Sequence, residues 1–510
     1  MKRGEIMSTF EKLNNVNGFD FKNPINAKQN NYAWSMAEFN GYIYVGTGRN
    51  VPWMSTMILS PQADAPLLIS TTVRDNNAEI WRYKKDGSLP WQRVYKAETA
   101  DRINGFRYMT VHAAPNSTPA IYAASFSLQG GVVILKSTDG SNWSEVGGGI
   151  QGTSSRSMVS FNGMLYVASL DEAIGGGTPL LYRSKDPEFF DFELVYNSQD
   201  PDIDPDKNPL GGINNIAVFN KRLYVCVSGE QGIEVWRSNS AYPKKNDWTL
   251  VADKGFGDAL NDNAMAVGVY KDHLYVTATK RFPLVLLVPF GADMIRIDKY
   301  DKWELIVGGM PLIPTKPTTG RRNKALSGYG SGFFNPFNVY IWQVMEYDGK
   351  LLATTFDHGT NVENMRDIAL LNKDIIVDKY DEDIYNLIIK IYDTVLYLFK
   401  RFGYPKGFDL YASPNGIKFE PLNLTGITTS NNYGGRILME GKDGDLYIGT
   451  ANPFDGCEVL RTDKCSFERY MYGHRRISYA DSLFLFKKKI DMMSQELISM
   501  MKKKGMLDKK

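Results

Sequence analysis

Three short stretches, hundreds of residues apart, carry the side chains best suited to chemistry. "GTGRN" (46–50) supplies Arg49, "TTFDHG" (354–359) supplies Asp357 and His358, and "SNNYGGR" (430–436) supplies Tyr433 and Arg436. A carboxylate can take a proton from a nucleophile, while a guanidinium and a phenol can donate hydrogen bonds to charge that develops elsewhere. Arg49, Asp357 and Tyr433 form such a set only if the chain brings them to one place. The competing reading is an Arg–Asp pair that seals the fold.

Other constellations are weaker. "DPDIDPDKNP" alternates Asp200, Asp202, Asp204 and Asp206, hard oxygen ligands suited to a structural calcium ion. It lacks the loop glycine and closing glutamate of an EF-hand, so a solvated acidic linker is the alternative. The four histidines, His112, His273, His358 and His474, invite a histidine-bound metal, but His273 sits in the turn "YKDHLY", away from the others. Arg49, Arg156, Arg281 and Arg436 could clamp a carboxylate as in a sialidase-like glycoside hydrolase, although no sialidase-type arginine motif opens the chain.

A repeat must position these groups. "FNGYIYVGTG" at 39 returns as "FNGMLYVASL" at 161, "FNKRLYVCVS" at 219, "YKDHLYVTAT" at 270, "YDGKLLATTF" at 347 and "KDGDLYIGTA" at 442. Each copy alternates apolar and polar residues about a two-residue turn, which reads as an antiparallel hairpin. A third strand follows ("EIWRYKKDG", "IEVWRS", "CEVLRTD"), then a fourth with Trp or Phe ("WQRVY", "WTLVA"). Four strands repeated at this period make a propeller blade. The reading is all-β: a seven-bladed β-propeller, with a six-bladed ring plus one decorated blade as the alternative.

Loops after the second strand and linkers into the first converge on one face, where pockets form. Closure of the ring makes blades 6, 7 and 1 neighbours, so Arg49, Asp357 and Tyr433 are expected at one mouth. His358, Arg156, Arg436, Trp34 and Trp342 are the further residues expected to line a substrate pocket there. Apolar inserts fall on the same face: about 50–76 in blade 1, "KRFPLVLLVPFGA" in blade 5, the linker 310–337, and 359–406 in blade 6. The last has helical periodicity and reads as a lid, held by Ile384, Leu387, Ile388, Ile391, Val395 and Leu398 at about 1.5–3 kcal/mol each. Residues 1–30 are expected to precede the ring, 31–470 to form it, and 471–510 to form a basic amphipathic tail.

The formal charge of +2 on 510 residues gives no field for nucleic acid. Three cysteines without a CxxC pair, and no apolar leader in the opening residues, point to a cytoplasmic protein. A hydrophobic small molecule is the expected partner, with peripheral membrane contact through the inserts or tail as a further one. No cofactor is required beyond the calcium considered above.

The arrangement resembles the cyanobacterial propeller enzymes that alkylate with secondary alkyl chlorides: the Friedel–Crafts enzyme of cylindrocyclophane assembly and the ester-forming relative of bartoloside biosynthesis. The resemblance implies a top-face pocket using Arg49 in "GTGRN", Asp357 in "TTFDHG" and Tyr433 in "NNYGG". It departs in lacking the calcium-binding N-terminal domain of the cylindrocyclophane enzyme and in adding the 359–406 insert. By that likeness Asp357 would deprotonate a resorcinol, and Arg49 and Tyr433 would receive the departing halide. A non-catalytic binding scaffold and a sialidase-like hydrolase remain the alternatives.

Overall fold

A computed structural model describes residues 9–51, 75–99, 103–127, 130–171, 177–282, 284–473 and 481–506. The fold is an all-β propeller, and its strand pairings form seven four-stranded antiparallel units. Blade 1 is Asn30–Phe39, Tyr42–Arg49, Glu79–Lys84 and Gln92–Lys96; blades 2 to 6 begin at Ile103, Ser154, Ile213, Asn261 and Asn338. Blade 7 is Gly434–Glu440, Leu446–Ala451 and Val459–Thr462, completed by Glu11–Lys12, which pairs with Arg461 and Leu460. The N-terminal segment therefore supplies the last blade's outer strand and latches the ring.

The turns behave as their residue types require. Asn40-Gly41 and Asn162-Gly163 both have positive φ at each position, the mirror-image turn whose twist matches a hairpin. The second strands are buried on both faces rather than alternately, as "IYV" (43–45) and "LYV" (165–167, 223–225, 274–276) show, and so fill the layers between blades.

Helices decorate this frame: α1 (Pro24–Gln29), α2 (Leu284–Leu287), α3 (Val362–Leu371), α4 (Lys373–Tyr380), α5 (Glu382–Phe402), α6 (Lys464–Gly473) and α7 (Asp481–Lys503). The blade 6 insertion is thus three helices. Asp381 caps α5 through the amide of Ile384, and Gly403 ends it in the left-handed conformation, where glycine carries no Cβ penalty. The apolar stripe of α5 (Ile384, Leu387, Ile388, Ile391, Val395, Phe399) packs with Ile490, Leu497 and Ile498 of α7. Lys504 adds an ion pair to Asp381. The C-terminal tail thus packs on the insertion. Leu398 is half-buried at the edge of this cluster. Ile391→Val, which removes one methyl from a fully buried site, will lower stability by about 1 kcal/mol in chemical denaturation.

Most of the blade 1 insert, with His474, lies outside the described residues. No described helix is long and apolar enough to cross a membrane.

Candidate functional site

In every blade the pairing between the first and second strands slips register at one shared position, and blades 1, 2, 5 and 6 slip a second time near the strand start. The shared slip falls at Trp34, Arg107, Arg156 (with Ser155), Asn214, Met265 (with Ala266), Trp342 and Arg436. Counted from each hairpin, this is the same position seven times. A β-bulge leaves its extra residue unpaired and re-aims it. In this ring the first strands line the central channel, so the bulges turn one residue per blade toward it. Trp34, Arg107, Arg156, Met265, Trp342 and Arg436 border a cavity of about 630 Å3, and Asn215 takes the place of Asn214 in the lining. That volume suits an organic ligand of drug-like size.

The cavity has a roof. Met365 and Ile368 of α3, with Ile375, Ile376 and Tyr380 of α4, border it, so the blade 6 insertion covers the channel mouth with apolar side chains. Beneath them lies an aromatic collar. Tyr32 meets Trp34, Trp342 and Tyr433 edge to face, with centroids 5.9, 5.7 and 5.8 Å away. The hydroxyls of Tyr32 and Tyr433 are hydrogen-bonded to each other. Burial pushes both phenols up, so they stay protonated at neutral pH. Further along the channel Val159, Val218 and Val344 make the wall apolar.

Of the residues expected to line a pocket, Trp34, Arg156, Trp342, His358 and Arg436 border this cavity, and so does Tyr433. Arg49 and Asp357 are placed elsewhere, and the reason is a second repeat. Four blades share a Gly followed by Phe or Ile at positive φ, then an Asn at the start of the first strand: Gly18 and Asn30, Gly255 and Asn261, Gly332 and Asn338, Gly426 and Asn432. Each Asn Nδ2 donates to its Gly carbonyl, at 2.8, 2.8, 3.0 and 3.2 Å. Each also donates to an acid opening the third strand: Glu79, Asp293, Asp409 and Glu458, at 2.7–3.0 Å.

The residue that ends the second strand faces this Asn. Arg49 pairs with Asn30 and Lys280 with Asn261, each donating to the Asn Oδ1 at 2.8 Å. Arg49 is fully buried, and its guanidinium also meets Asn26 and Glu79. Asp357 occupies the same register position opposite Asn338. Its carboxylate accepts from Gly359 N at 2.8 Å, Tyr404 Oη at 2.9 Å and Gly407 N at 2.9 Å. Arg49, Asp357 and Tyr433 therefore do not assemble as one group: only Tyr433 borders the channel, and the other two occupy equivalent inter-strand networks in different blades.

Arg281 is half-buried, near the Ala259 carbonyl. Asp200 and Asp202 share the ammonium of Lys245, and Asp204 pairs with Lys207. Asp206 donates its backbone N–H to Asp204. Among the described residues no group of three or more His, Cys, Asp or Glu converges to hold a metal.

Arg107 and Tyr108 also line the cavity and escape a sequence reading. Aligning the seven first strands on their bulges would have found Arg107, because "YAWSM", "GFRYM", "YIWQV" and "GGRIL" then fall in register. Blade 2 lacks the Asn-Gly turn that anchors that alignment.

No family model matches the chain, and neither does any curated protein. Among solved structures it is similar to the WD40 β-propeller domain of Doa1, with TM-score 0.43 and 10% identity over 90% of this chain and 98% of that one. Drosophila Semaphorin 2a gives TM-score 0.41 and 8% identity over 85% and 73%. A prolyl endopeptidase gives TM-score 0.37 and 12% identity over 82% of this chain but 46% of that one, so this chain spans about half its length.

Proposed function

We propose that the ring holds one small-molecule site in its central channel, roofed by the blade 6 insertion. There the protein acts as an enzyme on an organic substrate with an apolar body. The observation that supports this most is the repeated bulge, which turns tryptophans and arginines from separate blades toward one channel.

Alkyl transfer from a secondary alkyl halide fits these groups in one of its two forms. Alkylating a resorcinol carbon requires a base for the hydroxyl proton. Asp357 is turned into its own network, which leaves His358 for that task. Alkylating a carboxylate requires no base. Its oxygen forms the bond to carbon as the carbon–halide bond breaks, and the electron pair leaves with the halide. Guanidiniums would hold the carboxylate and receive the halide, and the apolar roof would exclude water. The ester-forming reaction is the form the site favours. A sialidase-like hydrolysis needs a carboxylic acid beside the arginines. Glu346, a carboxylate that does border the channel, lies four residues along the strand from Trp342, roughly 13 Å by strand rise.

The test is to incubate the protein with a secondary alkyl chloride and either decanoate or resorcinol, and to measure chloride. Release with decanoate that falls at least tenfold in Arg107→Gln is expected. No release with either acceptor would remove alkyl transfer and leave a binding site. A second reading, a non-catalytic platform, draws on the exposed Leu371 and Tyr397 of the insertion helices α3 and α5. Co-sedimentation with anionic vesicles would favour it.

A further inference from the structure

The roofed channel has a cationic region. Arg107, Arg156 and Arg436 enter from blades 2, 3 and 7 at the same bulge position, and blade 1 contributes Trp34 between Arg436 and Arg107. The Arg107 guanidinium lies 4.6 Å from the Trp34 ring and 4.9 Å from Phe126, and donates to Ser154 Oγ at 3.0 Å. Arg436 lies 5.3 Å from the Trp342 ring, and its Nε is buried without an acceptor. Burial, then the like charges of Arg107 and Arg156, press Arg436 down to about 9, opposed by the phenols of Tyr32 and Tyr108. A guanidinium keeps its proton at working pH, so that depression reflects lost hydration first and the neighbouring like charges second.

We infer that these three arginines form a subsite for the acidic head of an amphipathic ligand, a carboxylate, phosphate or sulfate, whose apolar body runs beneath α3 and α4. The inference rests on the channel being a ligand site. The Arg436 Nε is a buried donor that still needs an acceptor, and the positive charges of Arg107 and Arg156 beside it favour an anionic one. An oxyanion supplies negative charge together with two or three acceptor oxygens matched to the guanidinium fork. A free inorganic anion would meet the arginines but leave the apolar roof with nothing to cover. A neutral amphiphile would do the reverse. An acidic head on an apolar chain satisfies both.

The experiment is calorimetric titration of the full chain, below micellar concentrations, with decanoate, decyl sulfate, decanol and inorganic sulfate. Both acidic amphiphiles are expected to bind at least tenfold tighter than decanol, and inorganic sulfate more weakly than either. Arg436→Gln should cut decanoate affinity tenfold or more without changing that for decanol, and Arg436→Lys should recover part of the loss. Decanol matching decanoate would overturn the subsite while keeping the channel as a ligand site. So would Arg436→Gln without effect in a protein that melts like the parent. Inorganic sulfate equal to decyl sulfate would overturn the amphipathic head. Silence from all four probes would overturn both the subsite and the channel as a site.

Discussion

Arg49→Met will lower the free energy of unfolding by about 3 kcal/mol, read from urea denaturation, and leave ligand binding in the channel unchanged. The guanidinium is fully buried and is held by Asn30, Asn26, the Asp75 carbonyl and Glu79. Burial alone would raise Glu79. Arg49, with hydrogen bonds from Asn30 and Trp81, outweighs it and keeps that carboxyl below its usual range. Removing one member of a buried pair costs about 3–5 kcal/mol because the other charge is stranded. The lower end applies because Arg93 at 2.8 Å and Lys96 at 3.6 Å still reach Glu79. Lys280→Met, at the same position in blade 5, should cost as much, since Lys280 serves two carboxylates, Asp258 and Asp293. Arg322 then supports only Asp293. A stable Arg49→Met protein that no longer binds or turns over ligand would return Arg49 to the functional site.

The sequence made the blades legible because two strong local signals coincide there. Asn40-Gly41 and Asn162-Gly163 demand positive φ, and the apolar "LYV" run demands a strand. The helical insertion was legible for the same reason, with a 3.6-residue stripe that ends at Gly403. The site was legible only in part. Trp34, Trp342, Arg156 and Arg436 stand out by residue type, but a bulge shifts the alternation by one residue, so their direction cannot be read from period two. Arg107 was hidden because blade 2 has no Asn-Gly turn to count from. Arg49 and Asp357 misled because each ends a second strand, where a rim position was expected. Their direction is set by register with Asn30 and Asn338, and the signal for that is the Gly–aromatic–x4–Asn spacing in "GFGDALN" and "GFFNPFN". In blade 1 an insertion stretches this spacing and conceals it.

Blade 6 alone puts an acid where its neighbours put a donor, and a second large effect follows. Arg49, Lys280 and Asn452 each donate to the Oδ1 of their blade's Asn. Asp357 replaces them, and the buried Asn338 Oδ1 has no donor. Asn452 Oδ1 accepts from the amide two residues on, as Asp357 Oδ1 does from Gly359. The other Asp357 oxygen, at the place of the Asn452 amide that donates, accepts from Gly407 N at 2.9 Å instead. Burial, then the charge of Asp409, pushes Asp357 up to about 8 against hydrogen bonds from Tyr404, Gly359 and Gly407. The native state thus keeps a proton that the unfolded chain releases near its ordinary carboxylate range. Between those two values the native state binds more protons, so stability falls as pH rises through that window. Asp357→Asn removes this loss, because an amide does not titrate, at the cost of turning its Nδ2 toward the Gly407 N–H from which the carboxyl accepts. The parent should lose roughly 2–4 kcal/mol of stability between about pH 4 and 8, and the variant's profile should lack that fall. The measurement is urea denaturation of both proteins across that range. A variant profile that falls as steeply as the parent's would mean that Asp357 does not hold its proton in the folded state.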